Sequence, residues 1–174
     1  MVKQYPGGKA STHLHSLQPG QHLIFVGAIK GPQWTPNRVR HVVLIAGGAG
    51  ITPCYQLAQG ILGNAQDQTA VTLIYGANGD RDILWKGQME QWQQTFPDRF
   101  KVRFTVSEPG ENSTLARGRV TASLLQDALP DLGSKECEVY VCGPPAMEAA
   151  LLGTRSTKGL LEELGYGKEQ IHKF

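Results

Sequence analysis

The stretch His41-Val42-Val43-Leu44-Ile45-Ala46-Gly47-Gly48-Ala49-Gly50-Ile51-Thr52-Pro53 decides the fold of this chain of 174 residues. It opens with a continuous apolar run, which is typical of a parallel strand that is buried on both faces. A glycine loop follows, and Pro53 stands in the first turn of a helix that is predicted to reach Leu62. A strand, a glycine loop and a helix in this order indicate an α/β domain.

The same order recurs from this stretch to the end of the chain. Strands are also predicted at 71–75, 100–106, 139–142 and 171–174. Helices are predicted between them, from Asp82 to about Thr95, after Thr121, around Met147, Leu151 and Leu152, and over 158–164. The sequence therefore predicts an α/β fold with a doubly wound, parallel, five-stranded sheet.

The residues before Val39 have a different character. Gln21 to Val26 is predicted to be a strand, and short segments are separated by turn signals at Gly7-Gly8, Pro19-Gly20 and Gly31-Pro32. We therefore predict two parts. Residues 1–38 form a remnant, the end of a small β-domain, and residues 39–174 form the α/β domain.

Composition and charge exclude several classes of protein. The 17 Lys and Arg residues nearly balance the 15 Asp and Glu residues, so the net charge of +2 does not favour a nucleic-acid partner. The 3 cysteines include no CxxC pair, so neither a disulfide framework nor a metal site is expected, and a reducing compartment is favoured. No apolar stretch approaches the ~20 residues that span a bilayer, and no leader opens the chain. We expect an intracellular protein on the cytoplasmic side, associated with a membrane only through a segment that would precede Met1.

The glycine loop is the first candidate site, because ligands of open parallel sheets bind at the carboxyl ends of the strands. Glycines let the backbone approach a ligand, and the N–H groups of the following helix attract phosphate. Pro53, however, stands where the common dinucleotide fingerprint has its third glycine, and no acidic residue closes the strand that ends at Tyr75-Gly76-Ala77-Asn78. A standard Rossmann dehydrogenase is therefore disfavoured. A purely structural glycine turn remains the alternative.

The second candidate site is the stretch Cys142-Gly143-Pro144-Pro145-Ala146-Met147, which closes the strand predicted at 139–142. A rigid bend after Cys142 would aim its thiol into the crevice. The alternative is that this cysteine is a small buried hydrophobic residue. No His–Asp partner is recognisable nearby, which argues against a nucleophile.

Four motifs together resemble the ferredoxin–NADP reductase superfamily, and most of all its cytochrome b5 reductase and nitrate reductase branch. They are the loop at 47–53, Asp82-Ile83-Leu84, the stretch at 142–147 and a terminal aromatic residue, Phe174. Tyr5-Pro6-Gly7-Gly8-Lys9-Ala10-Ser11 is similar to the flavin-diphosphate segment of that family. The resemblance implies a ferredoxin reductase-like NAD(P)-binding domain at 39–174, preceded by the end of an FAD-binding β-barrel at 1–38.

The resemblance also implies a function. NADPH or NADH would pass a hydride to FAD, and single electrons would then reach a haem protein such as cytochrome b5. The family's flavin-gripping Arg-x-Tyr-Thr/Ser motif has no counterpart here, and 38 residues are too few to close a barrel. The alternative is therefore a flavin-free nucleotide-binding module, or a non-redox module that uses the same crevice.

Site residues follow from the same resemblance. Thr52 and Cys142 would be the catalytic residues, beside the reacting rings. Backbone amides of Lys9, Ala10 and Ser11 would hold the FAD diphosphate. The remaining implied cofactor-binding residues are Gly47, Gly48, Gly50, Pro53, Asn78, Ser107, Gly143, Pro144, Pro145, Met147 and Phe174.

The end of the third predicted strand bears on the choice between NADH and NADPH. In this family, members that prefer NADH have an acidic residue there, which repels a 2′-phosphate. Ser107 occupies the position, and serine is uncharged and can donate a hydrogen bond to phosphate. We therefore expect NADPH to be accepted. The alternative is that the next residue, Glu108, excludes the phosphate and Ser107 is only a solvated turn residue.

Overall fold

A computed structural model describes residues 2–27, 33–129 and 134–174. The chain divides into two compact units, Met1–Gln33 and Trp34–Phe174. The helices are α1 (Lys9–Ser16), α2 (Ile51–Gly63), α3 (Lys86–Thr95), α4 (Ala122–Ala128), α5 (Pro145–Leu152) and α6 (Leu160–Glu163). The strands are β1 (His41–Gly47), β2 (Ala70–Ala77), β3 (Phe100–Val106), β4 (Ala116–Arg117), β5 (Cys137–Cys142) and β6 (Ile171–Lys173).

The second unit contains one parallel sheet in the order β4-β3-β2-β1-β5-β6. The predicted α/β fold with a parallel sheet is confirmed, but the sheet has six strands rather than five. The additional strand is β4, which pairs only with Thr105 and Val106 and is too short to give a periodic signal in the sequence. The strand order reverses at β1, so the crevice between β1 and β5 is the topological switch point.

Helices cover both faces of the sheet, as a doubly wound fold requires. Helices α2 and α3 pack on the face that carries Leu44, and α4, α5 and α6 pack on the face that carries Ile45. Strand β1 is the centre of both layers, because every residue from Val42 to Ala46 has 0% exposure. The continuous apolar run therefore forms the buried parallel strand that the sequence predicts.

Helix α3 begins later than predicted. Asp82 was expected to cap it, but its carboxylate accepts a hydrogen bond from the Gly79 N–H at 3.0 Å and closes a short 3₁₀ turn at Asp80–Asp82. Trp85 then has a left-handed backbone with φ of 53°, which separates that turn from the helix. Local hydrogen bonding by Asp82 thus competes with helix formation. The predicted cap of α4 is confirmed, since the Thr121 hydroxyl accepts from the Leu124 N–H at 3.2 Å.

The first unit contains α1 and, within residues 2–27, no strand. The predicted strand at Gln21 to Val26 is therefore wrong, and Ile24, Phe25 and Val26 are 93%, 82% and 99% exposed. The physical reason is that a strand needs a hydrogen-bonded neighbour, which a local pattern does not supply. The predicted turn at Gly31-Pro32 lies outside the described residues. The assignment of residues 1–38 to a flavin-binding remnant remains a prediction.

Candidate functional site

The loops that follow β1 and β5 contact each other at the carboxyl edge of the sheet. A Cβ on Gly50 would overlap the carbonyl group of Cys142 and would lie 2.9 Å from the Gly143 nitrogen. A Cβ on Gly47 would lie 2.8 Å from Cδ of Pro144. Both positions therefore require glycine, and the two loops predicted from sequence form one structure at the switch point.

The glycine loop leads directly into α2. Gly48 has φ of 53°, and residues Gly48–Gly50 form a 3₁₀ turn before the helix begins at Ile51. No side chain caps this end of α2. The Ile51 N–H donates back to the Gly48 carbonyl of that turn, so the feature of this helix start that can attract phosphate is the positive end of the helix dipole. Pro53 contributes no N–H, so its place in the predicted site depends on shape alone.

Thr52 lies in the first turn of α2, two residues after Gly50. Its hydroxyl donates to the carbonyl of Ala49 at 3.0 Å, so the side chain is turned back towards the glycine loop. The hydroxyl oxygen keeps a lone pair to accept a further hydrogen bond. Thr52 is therefore placed to contact a ligand that lies over this loop.

Cys142 ends β5 on the face covered by α2, and its side chain is half-buried. Burial raises the pKa of this thiol above its usual value, the Glu148 carboxylate raises the pKa further, and the Lys173 ammonium lowers it. The nearby thiol of Cys54 is fully buried, and its pKa is also raised, chiefly by burial. Cys142 is thus a neutral thiol at neutral pH, suited to contact rather than to nucleophilic attack.

Phe174 lies on the same face as Cys142 and packs against the same core. Its N–H donates to the carbonyl of Val141 at 3.2 Å. Its ring stacks on Tyr140 with a centroid separation of 5.3 Å, and Tyr140 also stacks on His172 at 4.7 Å. The terminal aromatic ring is therefore held beside β5, near the strand end that carries Cys142.

Tyr140 is itself fixed by charged neighbours. Its hydroxyl donates to Glu138 Oε2 at 2.8 Å, and Arg38 contacts both residues. Burial and the Glu138 carboxylate raise the pKa of Tyr140 to about 12. Tyr140, the ring on which Phe174 stacks, therefore stays protonated and uncharged across the physiological pH range.

Tyr75 is a residue of the site that the sequence analysis missed. Its ring is fully buried, and its hydroxyl lies 3.2 Å from the Gly48 carbonyl and 3.3 Å from the Asp82 carbonyl. The same hydroxyl accepts from the Leu84 N–H at 3.4 Å. One side chain of β2 therefore joins the glycine loop to the Asp82–Leu84 segment. Its signal in the sequence is a tyrosine hydroxyl near the end of a largely apolar strand.

Asn78 and Ser107 follow β2 and β3 at the same edge of the sheet. The Ser107 N–H donates to the Ala77 carbonyl at 3.1 Å, and the Glu108 N–H donates to the Asn78 carbonyl at 2.7 Å. The Ser107 side chain is exposed, as is that of Arg117 on the adjacent strand β4. Asp80 fixes the loop that follows Ser107, because its carboxylate accepts a hydrogen bond from the Gly110 N–H at 2.9 Å.

The residues predicted to hold a flavin diphosphate lie in the first unit, at the start of α1. Lys9 and Ala10 are exposed there, and their N–H groups have no acceptor inside the helix. Ser11 differs, because its hydroxyl accepts from the Tyr5 N–H and donates to the Gly8 carbonyl, both at 3.2 Å. The backbone at this helix start is therefore open to an anion, while the Ser11 side chain holds the turn.

Metal-binding clusters and membrane-spanning helices are both absent from the described parts of the chain. Residues 2–27, 33–129 and 134–174 contain no group of three or more His, Cys, Asp or Glu side chains arranged to hold a metal ion. Among the same residues, no helix has both the length and the apolar character needed to cross a bilayer.

A doubly wound sheet with a glycine loop at its switch point defines a nucleotide-binding domain as the structural class. Residues 44–152 match the oxidoreductase NAD-binding domain family. The chain belongs to this family. This match and the relatives and solved structures described next together confirm the predicted relationship to the ferredoxin reductase superfamily and its cytochrome b5 reductase branch.

Two fungal relatives of this chain have the same name. NADH-cytochrome b5 reductase 2 of Aspergillus niger is 42% identical over 181 residues, which cover 100% of this chain and 56% of that protein. The protein of the same name from Botryotinia fuckeliana is 41% identical, with 52% of its length covered. The chain thus spans little more than half the length of these relatives.

Solved structures resemble the fold as well. The cytochrome b5 reductase domain of Ulva prolifera nitrate reductase has a TM-score of 0.77 and 27% identity over 100% of this chain and 70% of that one. The CS-b5R domains of human Ncb5or, in the NAD⁺ form, have a TM-score of 0.74 and 26% identity over 99% of this chain and 47% of that one.

Proposed function

We propose that the chain is the pyridine-nucleotide module of a cytochrome b5 reductase-like enzyme, which binds NADH or NADPH and directs a hydride to FAD. The observation that carries this proposal is the contact between the Gly50 loop and the Cys142 loop at the switch point of the sheet. The two loops in contact form a surface at the switch point, which we call the floor of the proposed site. A dinucleotide needs such a floor to bring its reactive ring and its diphosphate close to the backbone.

Each part of this floor has a separate task in the proposal. The start of α2, with the positive end of its helix dipole, would bind the nucleotide diphosphate. Thr52, Cys142 and Phe174 would surround the nicotinamide and fix its orientation. Hydride transfer needs the reacting atoms to approach within roughly 3–3.5 Å, so orientation of the ring is the main contribution of these residues. The neutral thiol of Cys142 suits this task because it contacts the ring without reacting.

The flavin part of the proposal depends on α1. The backbone N–H groups of Lys9 and Ala10 fit a diphosphate, as expected for the start of an eight-residue helix. Bound FAD supplies the chemistry that takes up a hydride and releases electrons one at a time. The protein would keep the diphosphate of FAD at α1.

The electron acceptor and the compartment are also proposals. A haem protein such as cytochrome b5 is proposed as the acceptor, and the names of the relatives support it. A reducing, intracellular compartment is supported by the free thiols of Cys54 and Cys142. 

NADPH acceptance is proposed from the exposed Ser107, which would face the 2′-phosphate together with Arg117 on the neighbouring strand. Ser107→Asp should therefore weaken NADPH binding about tenfold or more and leave NADH binding nearly unchanged. Thr114→Asp adds the same charge to the same exposed loop and should change neither affinity. Equal NADPH affinity in wild type and Ser107→Asp would show that Ser107 does not face the phosphate.

A flavin-free nucleotide-binding module is the second candidate. The observation that favours it is the first unit, where residues 2–27 form one helix and no strand. Such a module would bind the same nucleotides through the same floor, but it would not pass a hydride to FAD.

Titration of the purified chain with FAD, followed by NADH and NADPH, separates the two candidates. The reductase proposal predicts that the chain retains FAD through gel filtration as a yellow complex, with absorbance near ~450 nm that NADH bleaches in the absence of oxygen. A chain whose tryptophan fluorescence is quenched by NADH, but which retains no FAD after gel filtration, would support the flavin-free module. A chain that binds neither nucleotide would refute both.

A further inference from the structure

The paired part of β5 and β6 ends just before the two residues placed at the site. The strands pair from Val139 with Ile171 to Val141 with Lys173, and Cys142 and Phe174 lie beyond this register. One backbone hydrogen bond, from the Phe174 N–H to the Val141 carbonyl, continues past it. The ends of these two strands therefore need a further contact to hold a fixed separation.

Glu148 supplies contacts to both strand ends. It lies in the first turn of α5, and its side chain is only 13% exposed. Its Oε1 accepts from the Gly143 N–H at 3.3 Å, and its Oε2 lies 2.6 Å from Nζ of Lys173. One carboxylate thus contacts the residue after Cys142 and the residue before Phe174.

We propose that Glu148 and Lys173 form a positioning pair that holds the Cys142 end of β5 and the Phe174 end of β6 together at the site. The inference rests on the proposed function, in which Cys142 and Phe174 flank the nicotinamide. It assigns a task to two residues that lie outside the sequence motifs. It also implies that the Gly143 N–H is already used and does not bind the nucleotide.

The charges around Cys142 provide a readout that an ion pair remote from this thiol would not give. Titratable groups face this thiol from three elements, namely Cys54 from α2, Glu148 from α5 and Lys173 from β6. The carboxylate disfavours the thiolate, and the ammonium favours it. Loss of Glu148 and loss of Lys173 should therefore change the reactivity of Cys142 in opposite directions, because the thiolate is the reactive form.

The test is alkylation of Cys142 by iodoacetamide, followed by peptide mass analysis between about pH 7 and pH 9.5. Glu148→Gln keeps the shape and an acceptor for Gly143, and it should speed alkylation about threefold near pH 8. Lys173→Gln should slow alkylation by a similar factor. Changes in the same direction, or no change, would overturn the positioning pair.

Glu162→Gln is the matched control, because Glu162 also pairs with a more exposed lysine, Lys168, at 3.9 Å. It should leave the alkylation profile unchanged. A shift in this control as large as that in Glu148→Gln would show a non-specific charge effect and would also overturn the pair.

Protection of Cys142 by NADH separates this inference from the function on which it rests. In the wild type, NADH should slow alkylation, and Glu148→Gln and Lys173→Gln should each need several times more NADH for half-protection. Protection that is equally strong in both variants would overturn the positioning role. If NADH protects no form of the protein while the opposite alkylation shifts remain, the proposed nicotinamide site fails and the contact between the strand ends stands.

Discussion

At Gly50 a single hydrogen atom in place of a side chain allows two loops to touch. The backbone of Cys142 and Gly143 fills the space that a Cβ would need, and backbone cannot move aside as a flexible side chain can. Gly60, in the same helix-and-loop region, faces open space. A side chain therefore has no space at Gly50 but has space at Gly60, although both glycines lie within α2 and its preceding loop.

Gly50→Ala should separate the two loops and weaken NADH binding about tenfold or more, because the floor of the proposed site is disrupted. Gly60→Ala is the matched control and should bind NADH normally, with slightly higher stability, since alanine favours helix. Tryptophan fluorescence measures the binding, and circular dichroism shows whether each variant is folded. Normal NADH affinity in a folded Gly50→Ala variant would contradict the site.

Tyr75 has a role of the same kind, but through its hydroxyl. Tyr75→Phe removes the group that lies near Gly48, Asp82 and Leu84, so the glycine loop loses an anchor. We expect a loss of about 1 kcal/mol in the free energy of unfolding. We also expect a several-fold weaker NADH affinity.

Tyr55→Phe is the control for this variant. The Tyr55 ring stacks on Trp85 at 4.4 Å and on Trp92 at 4.7 Å, and phenylalanine would keep both contacts. Its NADH affinity should match that of the wild type. If Tyr75→Phe loses stability but binds NADH as tightly as Tyr55→Phe does, the hydroxyl is only a core contact.

Among the elements, those with a strong local signal were the predictable ones. Strand β1 followed from its continuous apolar run, and the cap of α4 followed from Thr121. Strand β4 and the start of α3 did not, because a two-residue pairing and the hydrogen bond of Asp82 are set by neighbours rather than by periodicity. The same distinction applies to the site. Its two loops could be predicted because they carry motifs, whereas Tyr75 and Glu148 could not, because their contacts form only in the folded chain.

The segment that leads into β1, which includes Trp34 and Asn37, is held by the side chain of Asp67. Asp67 is 1% exposed, and its carboxylate accepts from the Trp34 indole N–H at 2.7 Å, the Asn37 N–H at 3.2 Å and the Thr69 N–H at 3.0 Å. Burial alone would raise the pKa of Asp67, but these hydrogen bonds outweigh it and lower the pKa below its usual value. The ionised carboxylate therefore stabilises the folded unit.

This arrangement predicts an acid-dependent loss of stability. The contribution of Asp67 is complete above the unfolded-state pKa of about 4 and is lost as the pH falls through the lower folded-state pKa. Asp67→Asn should cost about 1–2 kcal/mol at neutral pH. The difference from wild type should shrink on acidification below about pH 4, as measured by urea unfolding.

Asp98→Asn serves as the reference, because Asp98 is exposed. It should unfold with the wild-type midpoint at neutral pH. A difference between wild type and Asp67→Asn that stays constant down to about pH 2 would show that the charge of Asp67 is not what stabilises the segment.

At the scale of the whole molecule, the sheet, both core layers and the nucleotide floor lie within Trp34–Phe174, whereas the residues proposed for FAD lie within Met1–Gln33. Each unit therefore carries a different half of the proposed function. A chain that starts at Trp34 keeps each strand of the described residues and both apolar clusters, which are the features that a cooperative fold needs.

Such a chain should unfold in a single transition and bind NADH with an affinity within about threefold of the full chain, because no residue of the floor is removed. It should bind no FAD, since the α1 amides are gone. Fluorescence titration and urea unfolding of the two chains side by side measure both outcomes. Retained FAD binding would place the flavin site within Trp34–Phe174. Loss of NADH binding from a folded Trp34–Phe174 chain would mean that the first unit contributes to the nucleotide site, and the division of tasks between the units would then be wrong.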